Sequence, residues 1–313
     1  MTTYLGIDSG GTRTRWVVLD GTTERALAEG RGPSIQASVL SQAEASSRLR
    51  DVIMSALEES AASPAMAVAG IAGAGGSEVR SQLEQVGVAL DMKLRVTGDP
   101  EVAAALALRD GPGVVVWSGT GSFAVGRDDA GSLVRIGGYG PWLGDEGSAF
   151  DLVRQAAAAA VRAADGLGPA TELGASLADY FELSAVRQLG GDLMRRPVRE
   201  VAGALPVVTD CARDGDVAAV GVLQRGAQQL VDLAHALADR LGVALPVLPV
   251  TLGGGVFEHC SPVRDAAAES LRRAGYASVD AAARPSAHGA AFLARALDEG
   301  TSPLCDWVDD GAA

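Results

Sequence analysis

The stretch YLGIDSGGTRTRWVVLD, Tyr4–Asp20, reads as two strands joined by a glycine-rich turn. Residues that favour strands crowd both flanks, while SGGTRT supplies the small and polar residues at which a chain reverses. A turn at Gly21-Thr22 then leads into a third strand over Arg25–Gly30. Helices are expected at Gln42–Ser60, Glu78–Val88 and Glu101–Arg109, alternating with strands at Met66–Gly73 and Lys93–Gly98. A hairpin start followed by this alternation specifies an α/β sheet with parallel members.

The pattern restarts at VVVWS (Val114–Ser118), with the loop GTGS, the strand FAVGR, the turn DDAG and the strand SLVRIG (Ser132–Gly137). Such repetition implies a structural duplication, with a boundary near Arg109–Pro112. The expected lobes are residues 1–111 and 112–313, with the last helix free to pack back on the first lobe. The second half is richer in helix: Ala149–Ala164, Glu172–Phe181, Pro197–Asp214, Val217–Leu241, Arg264–Ala274 and Ser286–Leu297. Gly242 is placed to end the longest of these helices, Val217–Leu241, and PVLPVTLGGGVF reads as a strand running into glycines.

Composition narrows the function. The chain has 313 residues, 48% of them hydrophobic, enough for substantial cores. A net charge of −13 with scattered basic residues argues against nucleic-acid binding. Neither a signal peptide nor an apolar run of about 18 residues is readable, so a cytoplasmic protein without a membrane partner is expected. Cys211, Cys260 and Cys305 lie far apart and fit reduced structural thiols, and His235, His259 and His288 lack metal-ligand spacing. The tail from Cys305 on carries no expected chemistry.

Four loops carry candidate chemistry. In GIDSGGTRT, Asp8 ends the first strand, where a carboxylate can hold a hydrated Mg²⁺, and Gly10, Gly11, Thr12 and Thr14 line a turn whose amides can approach phosphate oxygens. Ser118, Gly119, Thr120, Gly121 and Ser122 repeat that logic in the second half. Each loop alone is equally a turn that needs glycine; two in duplicated positions form a phosphate clamp. Neither matches a P-loop, and the first is followed by a strand, unlike a Rossmann fingerprint. In GGGVF, Gly254 and Gly255 let a flat ring or ribose pack on backbone, although a plain strand-to-helix turn reads the same. Asp99 precedes a helix at the end of a strand and can either cap that helix or take a proton from a substrate hydroxyl.

The ordered set GIDSGGTRT, TGDPEVAAA, WSGTGSFAVG, GGYGPWLGDEGSA and TLGGGVF resembles the N-acetylglucosamine kinase and BadF/BadG ATPase family of the actin, hexokinase and Hsp70 superfamily, from about Tyr4 to Leu297. The resemblance implies two ribonuclease-H-like, actin-like ATPase lobes with ATP and Mg²⁺ in an interdomain cleft. It implies that Asp8 holds the metal through water, that the loops at Gly10–Thr12 and Gly119–Gly121 bind phosphate, and that Gly254 and Gly255 bind adenosine. Asp99 matches the family's general base. Tyr139, Gly140 and Asp145 match its sugar-contacting segment, although a tryptophan is common where Tyr139 stands. In the segment GPSIQAS, Ser34 and Gln36 are the sugar candidates, with Ile35 and Gln36 where family members often carry an asparagine.

The activity so implied is phosphoryl transfer from Mg-ATP to a hydroxyl, O6 foremost, of N-acetylglucosamine or glucosamine, by a homodimer. N-acetylmuramic acid and N-acetylmannosamine are alternative substrates. Rival classes are an ATPase activator of a reductase or dehydratase, which carries cluster-binding cysteines, and a nucleotide or sugar sensor without catalysis. GGYGPWLGDEGSA has no cysteine, and retention of Asp99 and Asp145 favours an enzyme. Of the two adjacent acids there, Asp145 is expected at the sugar, while Glu146 is equally at home in a first helical turn.

Overall fold

The computed structural model describes residues 1–109 and 111–301. Cys305 and the tail around it, and Asp110 of the expected boundary, lie outside the described residues. Compactness groups Met1–Val115 with Val125–Arg135 and the segment from Ala282 on, and separately Val116–Ala124 with Ile136–Ala281. This division runs through other points than residue 111, because the chain returns to the first unit twice.

The first sheet opens with the meander β1 (Thr3–Ser9), β2 (Arg13–Asp20) and β3 (Ala26–Pro33), paired antiparallel. Helix α1 (Gln42–Ser60) leads to β4 (Met66–Ile71), parallel to β1, and α2 (Ser77–Ala89) leads to β5 (Leu94–Thr97), parallel to β4. Helix α3 (Asp99–Ala107) follows. The strand order is β3-β2-β1-β4-β5.

Period-two alternation sorts the faces of β1. Leu5 and Ile7 pack with Leu49, Ile53 and Ala56 of α1, whereas Tyr4 joins Val102 of α3 and Ala290, Leu293 and Ala294. Gly6 and Asp8 share the Tyr4 face. A Cβ on Gly6 would stand 2.1 Å from the Ala287 carbonyl oxygen and 2.4 Å from the Ala291 nitrogen, so only glycine lets the helix Ser286–Asp298 lie directly on the strand. Asp8 projects just past that contact.

The second sheet is built from β6 (Gly113–Ser118), β7 (Ser122–Arg127), β8 (Leu133–Gly137), β9 (Pro249–Gly253) and β10 (Ser278–Ala281), in the order β10-β9-β6-β7-β8. Counted from its own meander, this is the order of the first sheet, as the repeated sequence pattern implies.

Helix α4 (Ala149–Ala164) starts at Ser148, whose hydroxyl accepts the Asp151 amide, and buries Leu152, Val153 and Ala156. Helix α5 (Leu173–Tyr180) and a short α6 (Leu189–Leu193) follow. The single helix expected over Pro197–Asp214 is two, α7 (Val198–Ala202) and α8 (Leu205–Arg213). Gly203 and Ala204 interrupt it, and Pro206, which has no amide to give to a continuing helix, sits in the first turn of α8. Helix α9 (Val217–Leu241) is capped by Asp216 and ends at Gly242, whose φ of 64° is left-handed. The short α10 (Gly255–His259), α11 (Ser261–Ala274) and α12 (Ser286–Asp298) complete the described helices. The sequence reading omits α6, α10 and β10, each too short to show a period.

Candidate functional site

In the first unit, the β1–β2 turn is held by a chain of buried hydroxyls. The Thr14 hydroxyl donates to the Pro33 carbonyl at 2.7 Å, so in its 2.8 Å contact with Ser9 the Ser9 hydroxyl is the donor. The Ser9 oxygen in turn accepts the Ile35 amide at 2.8 Å, and the Ser34 hydroxyl donates to the Gly10 carbonyl at 2.7 Å. Thr14 is therefore a buried scaffold group, and Ser34 is buried with its proton given to Gly10 and its oxygen accepting the Gln36 amide at 3.2 Å. Ile35 is fully buried, while Gln36 is half-buried beside it. Gly10 and Gly11 are half-buried and Thr12 is exposed, so the tip of the turn keeps access to solvent.

Asp99 is the first residue of α3, with Gly98 as N-cap and no side-chain cap bond. This removes the capping alternative: the helix starts two residues earlier than the sequence expectation of Glu101. The position over the sheet follows from Gly70, which pairs with Asp8 across β4; a Cβ there would stand 2.3 Å from Val102 and 3.3 Å from the Gly98 carbonyl. The Asp99 carboxyl is pushed up to about 7, first by burial and then by the charge of Asp8; Glu101 adds to this, and the Asp99 amide and Arg135 oppose it. Glu101 is itself buried and paired with Arg80 at 3.1 Å.

One contact at this site had no signal in the sequence. Ser286, the first residue of α12, donates a hydrogen bond from its hydroxyl to Oδ2 of Asp8. The two residues are 278 positions apart.

In the second unit, the glycine loop after β6 is stitched to the segment before α4. The Ser118 hydroxyl donates to the Gly147 carbonyl at 2.9 Å, the Ser122 hydroxyl to the Glu146 carbonyl at 2.7 Å, and the Ala149 amide to the Gly119 carbonyl at 2.9 Å. Both serines are buried, leaving Gly119, Thr120 and Gly121 as the part-exposed face of the loop.

Asp145 is the centre of this junction. Its carboxylate accepts backbone hydrogen bonds from Ser122 and Gly140, and a Cβ on Gly121 would stand 2.7 Å from its Oδ2. Burial pushes its proton affinity up, opposed by those two backbone bonds. Its φ of 61° is left-handed, where aspartate is among the few tolerated non-glycine residues. Glu146 is exposed, so the two neighbouring acids have opposite surroundings. Tyr139, Trp142 and Leu143 are also exposed.

The turn after β9 closes on the same loop. Gly254 has a φ of 97°, and a Cβ there would stand 2.3 Å from the Ser118 carbonyl oxygen; at Gly255 nothing lies within 4 Å. The structure thus gathers Asp8, Gly10–Thr12, Ser34 and Asp99 in the first unit, and Ser118–Ser122, Tyr139–Asp145 and Gly254–Gly255 in the second. Among the described residues, no three His, Cys, Asp or Glu side chains converge as a metal cluster, and no helix is long and apolar enough to cross a membrane.

Two sheets of matching order with glycine turns after their first strands define an actin-like ATPase fold. The crystal structure of a Chromobacterium violaceum protein described as an N-acetylglucosamine kinase is similar, with a TM-score of 0.76 at 24% identity over 94% of this chain and 99% of that one. So is a ROK family glucokinase from Streptomyces griseus solved with glucose and AMPPNP, with a TM-score of 0.59 at 19% identity over 94% and 99% of the two chains. More particularly, the chain belongs to the BadF/BadG/BcrA/BcrD ATPase family, whose profile matches residues 5–294. It is 30% identical over 269 residues to the N-acetylmuramic acid/N-acetylglucosamine kinase of Clostridium acetobutylicum, covering 83% of this chain and 87% of that one.

Proposed function

We propose that this protein is an ATP-dependent amino-sugar kinase that transfers the γ-phosphoryl group of ATP to a sugar hydroxyl, O6 of N-acetylglucosamine or glucosamine foremost. The observation that carries the reading is Asp99, a carboxyl held at about 7 beside Asp8 at the end of the first strand. A base titrating near neutrality is ionised when needed yet basic enough to accept a hydroxyl proton.

Asp99 takes the proton of the attacking hydroxyl as its oxygen bonds to the γ-phosphorus, and the bond to the bridging oxygen of ADP breaks. Amides of Gly10–Thr12 and Gly119–Gly121 donate to phosphate oxygens, and Gly254 and Gly255 lie against adenosine. Ser34, Gln36, Tyr139 and Gly140 contact the sugar. Asp145, with two acceptor positions taken by backbone amides, keeps others for sugar hydroxyls. Asp8 would hold Mg²⁺ through water; a single carboxylate ligand at a phosphate site suits an ion that keeps waters and nucleotide oxygens as its other ligands. Bound with ATP, Mg²⁺ supplies neutralising charge for the phosphate oxygens.

The activator reading needs cysteine ligands for a cluster. Cys211 and Cys260 are both buried, in contact with Ser176 and Thr209, and neither lies in Gly137–Phe150. ADP release measured with N-acetylglucosamine, glucosamine, N-acetylmuramic acid and N-acetylmannosamine tests the proposal, with the phosphorylated position then mapped. Stimulation by an amino sugar is expected, and ATP turnover indifferent to every sugar would refute it. The proposal includes a cytoplasmic homodimer, which light scattering on the purified protein checks for oligomeric state.

A further inference from the structure

Because Gly6 and Asp8 share one face of β1, the helix that lies on Gly6 also reaches Asp8. Ala287 and Ala291 touch the strand at Gly6, which leaves Ser286, at the very start of α12, level with the carboxylate. Its hydroxyl donates to Asp8 Oδ2, and its side chain is buried, with a residue exposure of 3%. Breaking the bond would leave the buried hydroxyl without its partner, so the bond favours one orientation of the half-buried carboxylate.

We infer that Ser286 is a positioning residue for Asp8: its hydroxyl fixes the carboxylate orientation that the metal's water shell requires. The inference rests on the metal-side reading of Asp8 given above. It ties the start of α12 to the end of β1.

The test compares Ser286→Ala, Ser286→Thr and Asp8→Asn in the full chain. One readout is Mn²⁺ binding in the presence of ADP, followed by electron paramagnetic resonance; the other is the Mg²⁺ concentration for half-maximal turnover. Ser286→Ala is expected to weaken Mn²⁺ binding and raise the Mg²⁺ requirement about tenfold, with the KM for ATP at saturating Mg²⁺ unchanged. Ser286→Thr, which keeps the hydroxyl, should restore both. A Ser286→Ala protein with the parent's metal response, while Asp8→Asn loses it, overturns the inference alone. A tenfold loss that Thr fails to rescue, accompanied by a lowered melting temperature, also overturns it, as a packing effect. If Asp8→Asn itself binds Mn²⁺ like the parent, the metal reading of Asp8 fails and the inference falls with it.

Discussion

Asp99 stands close enough to Asp8 for the second charge to raise its proton affinity, on top of the larger effect of burial. With the group at about 7, kcat/KM for the sugar should rise with pH through that value and level off above it. Asp99→Asn should lower kcat by about 10²–10⁴ while leaving ATP binding nearly unchanged. Stability moves the other way. An acid whose folded value lies above its unfolded 3.8 is most favourable below that pH, and its contribution is lost as pH rises through about 7. Asp99→Asn should therefore be the more stable protein at pH 8, by at most about 4 kcal/mol, and gain nothing at pH 3 to 4. Steady-state rates and chemical denaturation at both pH values check this, and a stabilised but fully active variant would exclude Asp99 as the base.

Asp145 and Gly121 should behave as one unit. Gly121→Ala places a methyl 2.7 Å from Asp145 Oδ2 and should cost about 1–3 kcal/mol while raising the KM for ATP. Asp145→Gly keeps the left-handed backbone and removes the carboxylate. In that background Gly121→Ala should cost little, giving a coupling of about 1 kcal/mol or more in a double-mutant cycle. Additive costs would mean that the carboxylate does not pin the loop.

What the sequence revealed depended on range. Helices α1, α4 and α9 run over the expected residues because their caps are local: Ser41 and Glu44 form a capping box, and Ser148 and Asp216 accept amides within their own first turns. The duplicated glycine turns were equally legible, since each lies between recognisable strands. The orientation of polar side chains was not. Thr14, Ser118 and Ser122 look like phosphate hydroxyls in a linear pattern, yet the neighbouring segments around Pro33 and Gly147 take their protons. The Ser286–Asp8 contact joins opposite ends of the chain, beyond any periodic signal.

Gly6 and Gly10, four residues apart, should respond oppositely to the same substitution. Gly6→Ala drives a methyl into the backbone of α12, which cannot swing aside like a side-chain tip, and should cost about 3 kcal/mol or more. At Gly10 a methyl meets nothing within 4 Å, so Gly10→Ala should change stability by less than about 1 kcal/mol. Because Gly10 is proposed to face phosphate, its variant should instead raise the KM for ATP. Urea unfolding midpoints and ATP titrations separate the two effects, and equal stability losses would contradict the seating of α12 on β1.

Thr14 offers the sharpest separation of scaffold from ligand. Thr14→Val preserves shape but removes the hydroxyl that donates to the Pro33 carbonyl and receives from Ser9, leaving the buried Ser9 hydroxyl without that acceptor and the Pro33 carbonyl without that donor. The expected loss is about 1–3 kcal/mol of folding stability. At a temperature where the variant remains folded, the KM for ATP should stay within about twofold of the parent, since a scaffold bond of 0.4 kcal/mol or less in binding is all that such a ratio allows. A stable variant with a KM raised tenfold would instead place the Thr14 hydroxyl on the nucleotide. Denaturation and ATP kinetics on the same preparation decide between them.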